Sequence, residues 1–191
     1  MIVIGLDLSM KQTGVAVYDT DKDKFLLITS LNTEKISKKG NAKPWEKLFY
    51  SYRLKFIFDE LLKIKKEYKP DEVVVEKGFS RFNTSTQVVY RVHAIASLVF
   101  YDIPSTYYPS TEIKSVTTGY GRAKKSEVRE AVKKRYPNIE MDNNDESDAC
   151  AIIATHMINT NPKYDWIDKQ EFFEELEQAK AEIEKEKKEG K

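Results

Sequence analysis

Apolar and polar positions fall into short blocks along this chain, and the period of the blocks changes from one to the next. Residues 2–8 (IVIGLDL) form a run rich in branched side chains, which predicts a strand. Residues 13–18 (TGVAVY) and 25–31 (FLLITSL) predict two more, and the turn-like TDKDK between them makes the three an antiparallel meander. After a polar loop over 32–43, Pro44 suits the first turn of a helix reaching to about Tyr68, where its missing N–H is needed least. Leu48, Tyr52, Phe56, Leu61 and Leu62 recur there at helical spacing. Pro70 stops this helix, and DEVVVE at 71–76 reads as a strand of the fully buried type. Residues 84–101 predict a second long helix, apolar enough to be buried or to form a dimer face. A short strand at 104–108, a helix at 109–117, a flexible basic loop (GYGRAKK), a helix at 126–136, a loop at 137–144 and a helix from 145 to about 159 complete the pattern. The order βββ-α-β-α-β-α-α-α predicts an α/β layered fold, a sheet with helices on its faces.

Composition narrows this picture. The 191 residues suffice for one domain with a sizeable core, and no run approaches the roughly 18 apolar residues of a membrane span. The N-terminus carries no basic region or cleavage site, so no signal peptide is expected. The single cysteine, Cys150, sits in an apolar helical run and reads as a buried thiol in a reducing cytoplasm, that of a bacterial or phage-infected cell. The net charge of +1 conceals an asymmetry. Residues 163–191 hold 7 Lys against 10 Asp or Glu and read as a charged helical or frayed tail beyond a domain at 1–162. Residues 107–137 hold 8 Lys or Arg against 3 Glu, a local basic stretch of the kind that meets nucleic acid.

The chemistry lies in carboxylates at the edges of hydrophobic runs. Asp7 ends the first strand, Glu76 ends DEVVVE, and Asp145 and Asp148 open the helix of DNNDESDACAII. A carboxylate at the end of a buried strand is costly unless it is paired or binds a metal. Asp145 stands where an N-cap is expected, and Asp148, one turn later, shares its side of the helix. Converged, the four acids suit Mg²⁺, a hard cation that takes a few carboxylates plus water and substrate phosphate, and they point to a metal-dependent nuclease. Asp142 and Glu146 lie off this pattern and read as surface residues, and His93 and His156 read as structural.

Four blocks then resemble one known family. IGLDLSMKQTGVAV, VVVEKGF, STEIKSVTTGYGRAKKSEV and DESDACAIIATH occur in the order and at the spacing of the RuvC-type Holliday junction resolvases, within the RNase H-like superfamily, over roughly residues 1–159. The resemblance implies an RNase H-like fold with a five-stranded mixed sheet. It also implies Mg²⁺ (with Mn²⁺ as a substitute) on Asp7, Glu76, Asp145 and Asp148, and a homodimer that nicks four-way or other branched DNA to leave 5′-phosphate and 3′-hydroxyl ends. Lys114 and Lys125 match the family's functional lysines, with Lys124 as the competing candidate for the second position. Gly119-Tyr120-Gly121 with Arg122, Lys124 and Lys125 offers backbone and cations for phosphate contact. Phe79 matches an aromatic that stacks on a base near the junction point, a role Phe82 can share. The chain departs from the family in having Leu8-Ser9 where Pro-Gly is common, and in its loop after Phe79 and its tail. Two other readings stay open: an RNase H-like or general debranching nuclease with relaxed substrate choice, and a non-catalytic junction-binding protein.

Overall fold

The computed structural model describes residues 1–34, 50–78, 83–161 and 164, and of residues 83–86 the backbone alone. Phe79, Phe82, the start of the helix predicted from Pro44 and all of the tail beyond Tyr164 lie outside the described residues. Three strands open the chain: β1 (Ile2–Asp7), β2 (Gln12–Asp19) and β3 (Lys24–Asn32). The helix α1 (Tyr50–Tyr68) leads into β4 (Glu72–Glu76). The helix α2 (Asn83–Val99) leads into β5 (Ser105–Tyr108). Three helices close the described part: α3 (Ser110–Thr118), α4 (Lys125–Arg135) and α5 (Asn144–Thr160).

The five strands form one mixed sheet in the order β3-β2-β1-β4-β5. The meander β1–β2–β3 is antiparallel, as its short turns require, whereas β4 joins β1 and β5 joins β4 in parallel across helical connections. Alternation along the strands sorts side chains between two cores. Ile4, Leu6, Val15, Val17, Val73 and Val75 pack with Ile57 and Leu61 of α1 and Val92 and Ala96 of α2. Val3, Ala16, Tyr18 and Val74 face the other way, onto α4 and the apolar middle of α5. This two-sided burial explains why β1 and β4 read as unbroken apolar runs.

The helix α5 lies unusually close to the sheet because two glycines face it. A Cβ on Gly5 would stand 2.7 Å from the Ala149 carbonyl oxygen, and one on Gly14 only 2.0 Å from that of Asp145. These are distances no real side chain accommodates without moving the helix. Among the described residues no helix is long and apolar enough to cross a membrane.

The basic loop begins in a hydrogen-bonded turn: Gly119 takes the left-handed conformation (φ 79°) and caps α3 through the Ser115 carbonyl, while the Thr118 hydroxyl accepts from the Tyr120 N–H at 3.2 Å. Ala123, within the same loop, is buried.

Candidate active site

The topology brings the strand-end acids together. Asp7 and Glu76 end adjacent parallel strands whose register pairs Leu6 with Val75. Asp7 is paired across the meander with Gly14, and Gly14 is where the first turn of α5 touches the sheet. That contact carries Asp145 and Asp148 to Asp7. Carboxylate oxygens of Asp7, Asp145 and Asp148 lie within 4.8 Å of one another, a set able to hold a cation. Glu76 flanks this set, and its charge is felt by Asp7.

The electrostatics match a site built for a positive guest. Burial, then the charges of Glu76 and Asp148, push the Asp7 carboxyl up to about 8. Burial also raises Glu76, against a hydrogen bond from Ser110 that lowers it, and raises Asp145, against the nearby Lys125. The residues present fit a hard divalent ion: every donor is an oxygen, and a bound cation relieves the repulsion that raises Asp7.

Lys125 belongs to this cluster more closely than its sequence neighbours suggest. Its Nζ donates to Asp148 Oδ2 at 2.5 Å from the first turn of α4. Burial opposes its charge, but the Asp148 hydrogen bond and the surrounding acids outweigh that and raise its pKa. Lys114, half-buried on α3, acts electrostatically on Glu76. Arg122 and Lys124 are exposed beside the turn, and the backbone N–H of Lys124 donates to Glu127 Oε2 at 2.7 Å, fixing the start of α4.

Two sequence expectations need correction. The N-cap of α5 is Asn143, whose side chain accepts from the Glu146 N–H at 3.0 Å, so Asp145 lies within the first turn and its carboxylate is left for the site. Glu146, expected at the surface, is 6% exposed. Its Oε2 accepts from the Asp142 N–H at 2.7 Å and its Oε1 from Asn143 Nδ2 at 3.0 Å. The reason is the spacing: Asn143 with a Glu three residues on lets the Glu146 carboxylate turn back to the Asp142 N–H and the Asn143 side-chain amide, a signal present in the sequence but overshadowed by the acids around it. Asp142 is exposed, as expected. Ser110 and Gly14 carried no signal of their own, since a hydroxyl at a helix start and a strand glycine are common.

The histidines stand apart from the acids. His156 is buried, its Nε2 3.2 Å from Glu72 Oε2 and its Nδ1 3.1 Å from the Tyr108 hydroxyl. Glu72 begins the strand that Glu76 ends. His93 is half-buried against Gly78, where burial lowers its pKa.

Comparison with known proteins gives this geometry a context. The family model described as crossover junction endodeoxyribonuclease RuvC matches residues 3–156. The protein of that name from Rickettsia bellii is 32% identical over 165 residues, covering 84% of this chain and 99% of the relative. The one from Cupriavidus taiwanensis is 30% identical over 159 residues, covering 82% of this chain and 83% of the relative. Among solved structures, Thermus thermophilus RuvC in complex with Holliday junction substrate superposes with a TM-score of 0.68 at 22% identity, over 86% of this chain and 97% of the other. The yeast mitochondrial Holliday junction resolvase superposes with a TM-score of 0.53 at 14% identity, over 81% and 78% of the two chains. The fold is thus the RNase H-like one, and a match from the first strand to the last helix places this chain in the crossover junction endodeoxyribonuclease RuvC family.

Proposed function

We propose that this chain is a Mg²⁺-dependent endonuclease that resolves four-way or other branched DNA by paired nicks, with its nuclease in residues 1–162. The observation that carries the proposal is the convergence of Asp7, Asp145 and Asp148 within 4.8 Å, at the strand end shared with Glu76 and ion-paired to Lys125. A module that only binds DNA has no use for buried, mutually repelling carboxylates. Asp7, Glu76, Asp145 and Asp148 hold the ion in this reading. Bound there, Mg²⁺ supplies Lewis acidity for hydrolysis of a phosphodiester, and Mn²⁺ is expected to substitute.

The chain's own groups do the rest. Lys125 holds Asp148 in place through its ion pair and offsets the negative charge of the cluster. The exposed Arg122 and Lys124, on a turn whose backbone is fixed, contact DNA phosphates, and Lys114 tempers the charge of Glu76. Phe79, three residues beyond Glu76, is assigned to base stacking on the strength of the family motif. Hydrolysis breaks the P–O3′ bond and leaves a 5′-phosphate and a 3′-hydroxyl.

Two strands must be cut, and a two-fold dimer presents two such sites symmetrically. The exposed face of α2, with Tyr90 at 51% and Leu98 at 61% exposure and Tyr101 just beyond at 81%, is the surface proposed for that contact. The deciding experiment compares a synthetic four-way junction with three-way, flap and RNA–DNA hybrid substrates in Mg²⁺, with the cut sites mapped. Symmetric nicks on the junction are expected. Preference for the hybrid would favour a ribonuclease H-like enzyme, and binding without any product would favour a junction-binding protein.

A further inference from the structure

Glu146 is a buried carboxylate that takes no part in the proposed ion site, and its contacts form a chain. Oε2 accepts from the Asp142 N–H at 2.7 Å, and Oε1 accepts from Asn143 Nδ2 at 3.0 Å. Asn143 Oδ1 accepts in return from the Glu146 N–H at 3.0 Å, and Nδ2 also reaches Ser30 Oγ on β3 at 2.9 Å. Ser30 Oγ accepts a further bond, from Gln12 Nε2 on β2, at 3.1 Å. Every carboxylate and amide atom of the pair is thereby used. The chain runs from two strands of the sheet to the first turn of α5, on a different side from Asp145 and Asp148.

We infer that Glu146, through Asn143 and Ser30, is a positioning residue that sets the rotation of the first turn of α5 and so aims Asp145 and Asp148 at Asp7. Gly14 permits the close approach of this turn at the Asp145 carbonyl, and the lateral bond to β3 gives the turn a second point of attachment that fixes its rotation. The inference rests on the reading of these acids as an ion site.

The test uses the full chain. Glu146→Gln is equal in shape, but its amide must face either the Asp142 N–H or the Asn143 NH₂ group, donor against donor. Mn²⁺ binding without DNA, followed by titration calorimetry, should weaken about tenfold. The half-saturating Mg²⁺ concentration for junction cleavage should rise in step, with the rate at saturating Mg²⁺ within about threefold of the parent. Asn143→Asp added to Glu146→Gln reverses the polarity of the pair and should recover most of the affinity. Ser30→Ala, which keeps the cap and cuts the link to β3 together with the Gln12 bond, should shift Mn²⁺ binding in the same direction and serves as the test if Glu146→Gln does not fold. Thr155→Val removes another buried hydrogen bond of α5, to the Ala151 carbonyl at 2.8 Å, and should leave Mn²⁺ affinity unchanged. Unaltered Mn²⁺ binding in Glu146→Gln, or an equal loss in Thr155→Val, overturns the positioning role. Failure of the parent protein to cleave any branched substrate while these Mn²⁺ results hold would sink the nuclease reading alone.

Discussion

Asp7 concentrates what is unusual about this protein. Its carboxyl is raised to about 8 by burial and by its acidic neighbours, so between the ordinary carboxylate range and that value the folded state holds a proton that the unfolded chain has released. Stability of the metal-free protein therefore falls as pH rises from about 4 to about 8. Measured in EDTA, Asp7→Asn should unfold at a higher temperature than the parent at pH 8, by on the order of 1–3 kcal/mol of stability, with little difference at pH 4. Mg²⁺ should stabilise the parent at pH 8 more than the variant, and Asp7→Asn should have no measurable cleavage. Equal melting temperatures at pH 8 would show that Asp7 is not held in a repulsive cluster. Lys125 lowers the proton affinity of Asp7, Glu76 and Asp145 alike. Removing it in Lys125→Ala should move the acid limb of the pH–rate profile to higher pH and slow cleavage by about 10–100-fold. That its side chain reaches Asp148 was not legible in the sequence, where it stands 23 residues away among other cations.

Secondary structure was largely legible because each element has its own period. The strands β1 to β4 and the helices α2 to α5 stand within a residue or two of expectation, and the parallel strand β4 announced itself by three consecutive valines. The element ends were less legible. The N-cap of α5 lies two residues before the expected Asp145, because the acids overshadow Asn143, and the hydrogen bonds that shape the turn after α3 carry no mark in the glycine pattern. The packing of α5 on the meander offers a sharp check. Gly14→Ala places a methyl 2.0 Å from the Asp145 carbonyl oxygen, and neither backbone can yield without losing its own hydrogen bonds. Urea denaturation should show a loss of about 3 kcal/mol, with Mn²⁺ binding weakened as well. An unchanged midpoint would mean that the helix does not sit where the glycine implies. On the turn between α3 and α4, Arg122→Ala or Lys124→Ala should each reduce the slope of log K against log[salt] for junction binding by about 0.9 and leave Mn²⁺ affinity alone.

Charge and apolar surface are divided between the two sides of the sheet. The basic stretch around α3 and α4 lies on the side of the sheet that α5 covers, with the carboxylate cluster at the first turn of α5, while α1 and α2 cover the opposite side. The surfaces proposed for DNA contact and for dimer contact are therefore separate. Leu98→Asp, on the exposed face of α2, should sediment as a monomer if this face joins two copies. On a supercoiled plasmid bearing a cruciform it should then give nicked circles where the parent gives linear product. A dimer that persists would move the interface elsewhere.

The one-dimensional pattern already contained the strands and helices, the two-sided burial of the central strands and the four carboxylates at the edges of apolar runs to which the chemistry is assigned. These follow from local properties: the period of apolar residues, and the cost of a carboxylate beside them. Partnership did not follow, because residues 7, 76, 125 and 145–148 meet only when β4 adds in parallel to β1 and the glycines let α5 down onto the sheet. Folding therefore settled that Asp7, Asp145 and Asp148 form the tight set with Glu76 beside it, and that Lys125 pairs with Asp148. It also turned Glu146 inward as a clasp. Burial and pairing depend on distances between residues far apart in the chain, and a pattern of neighbours does not carry those distances.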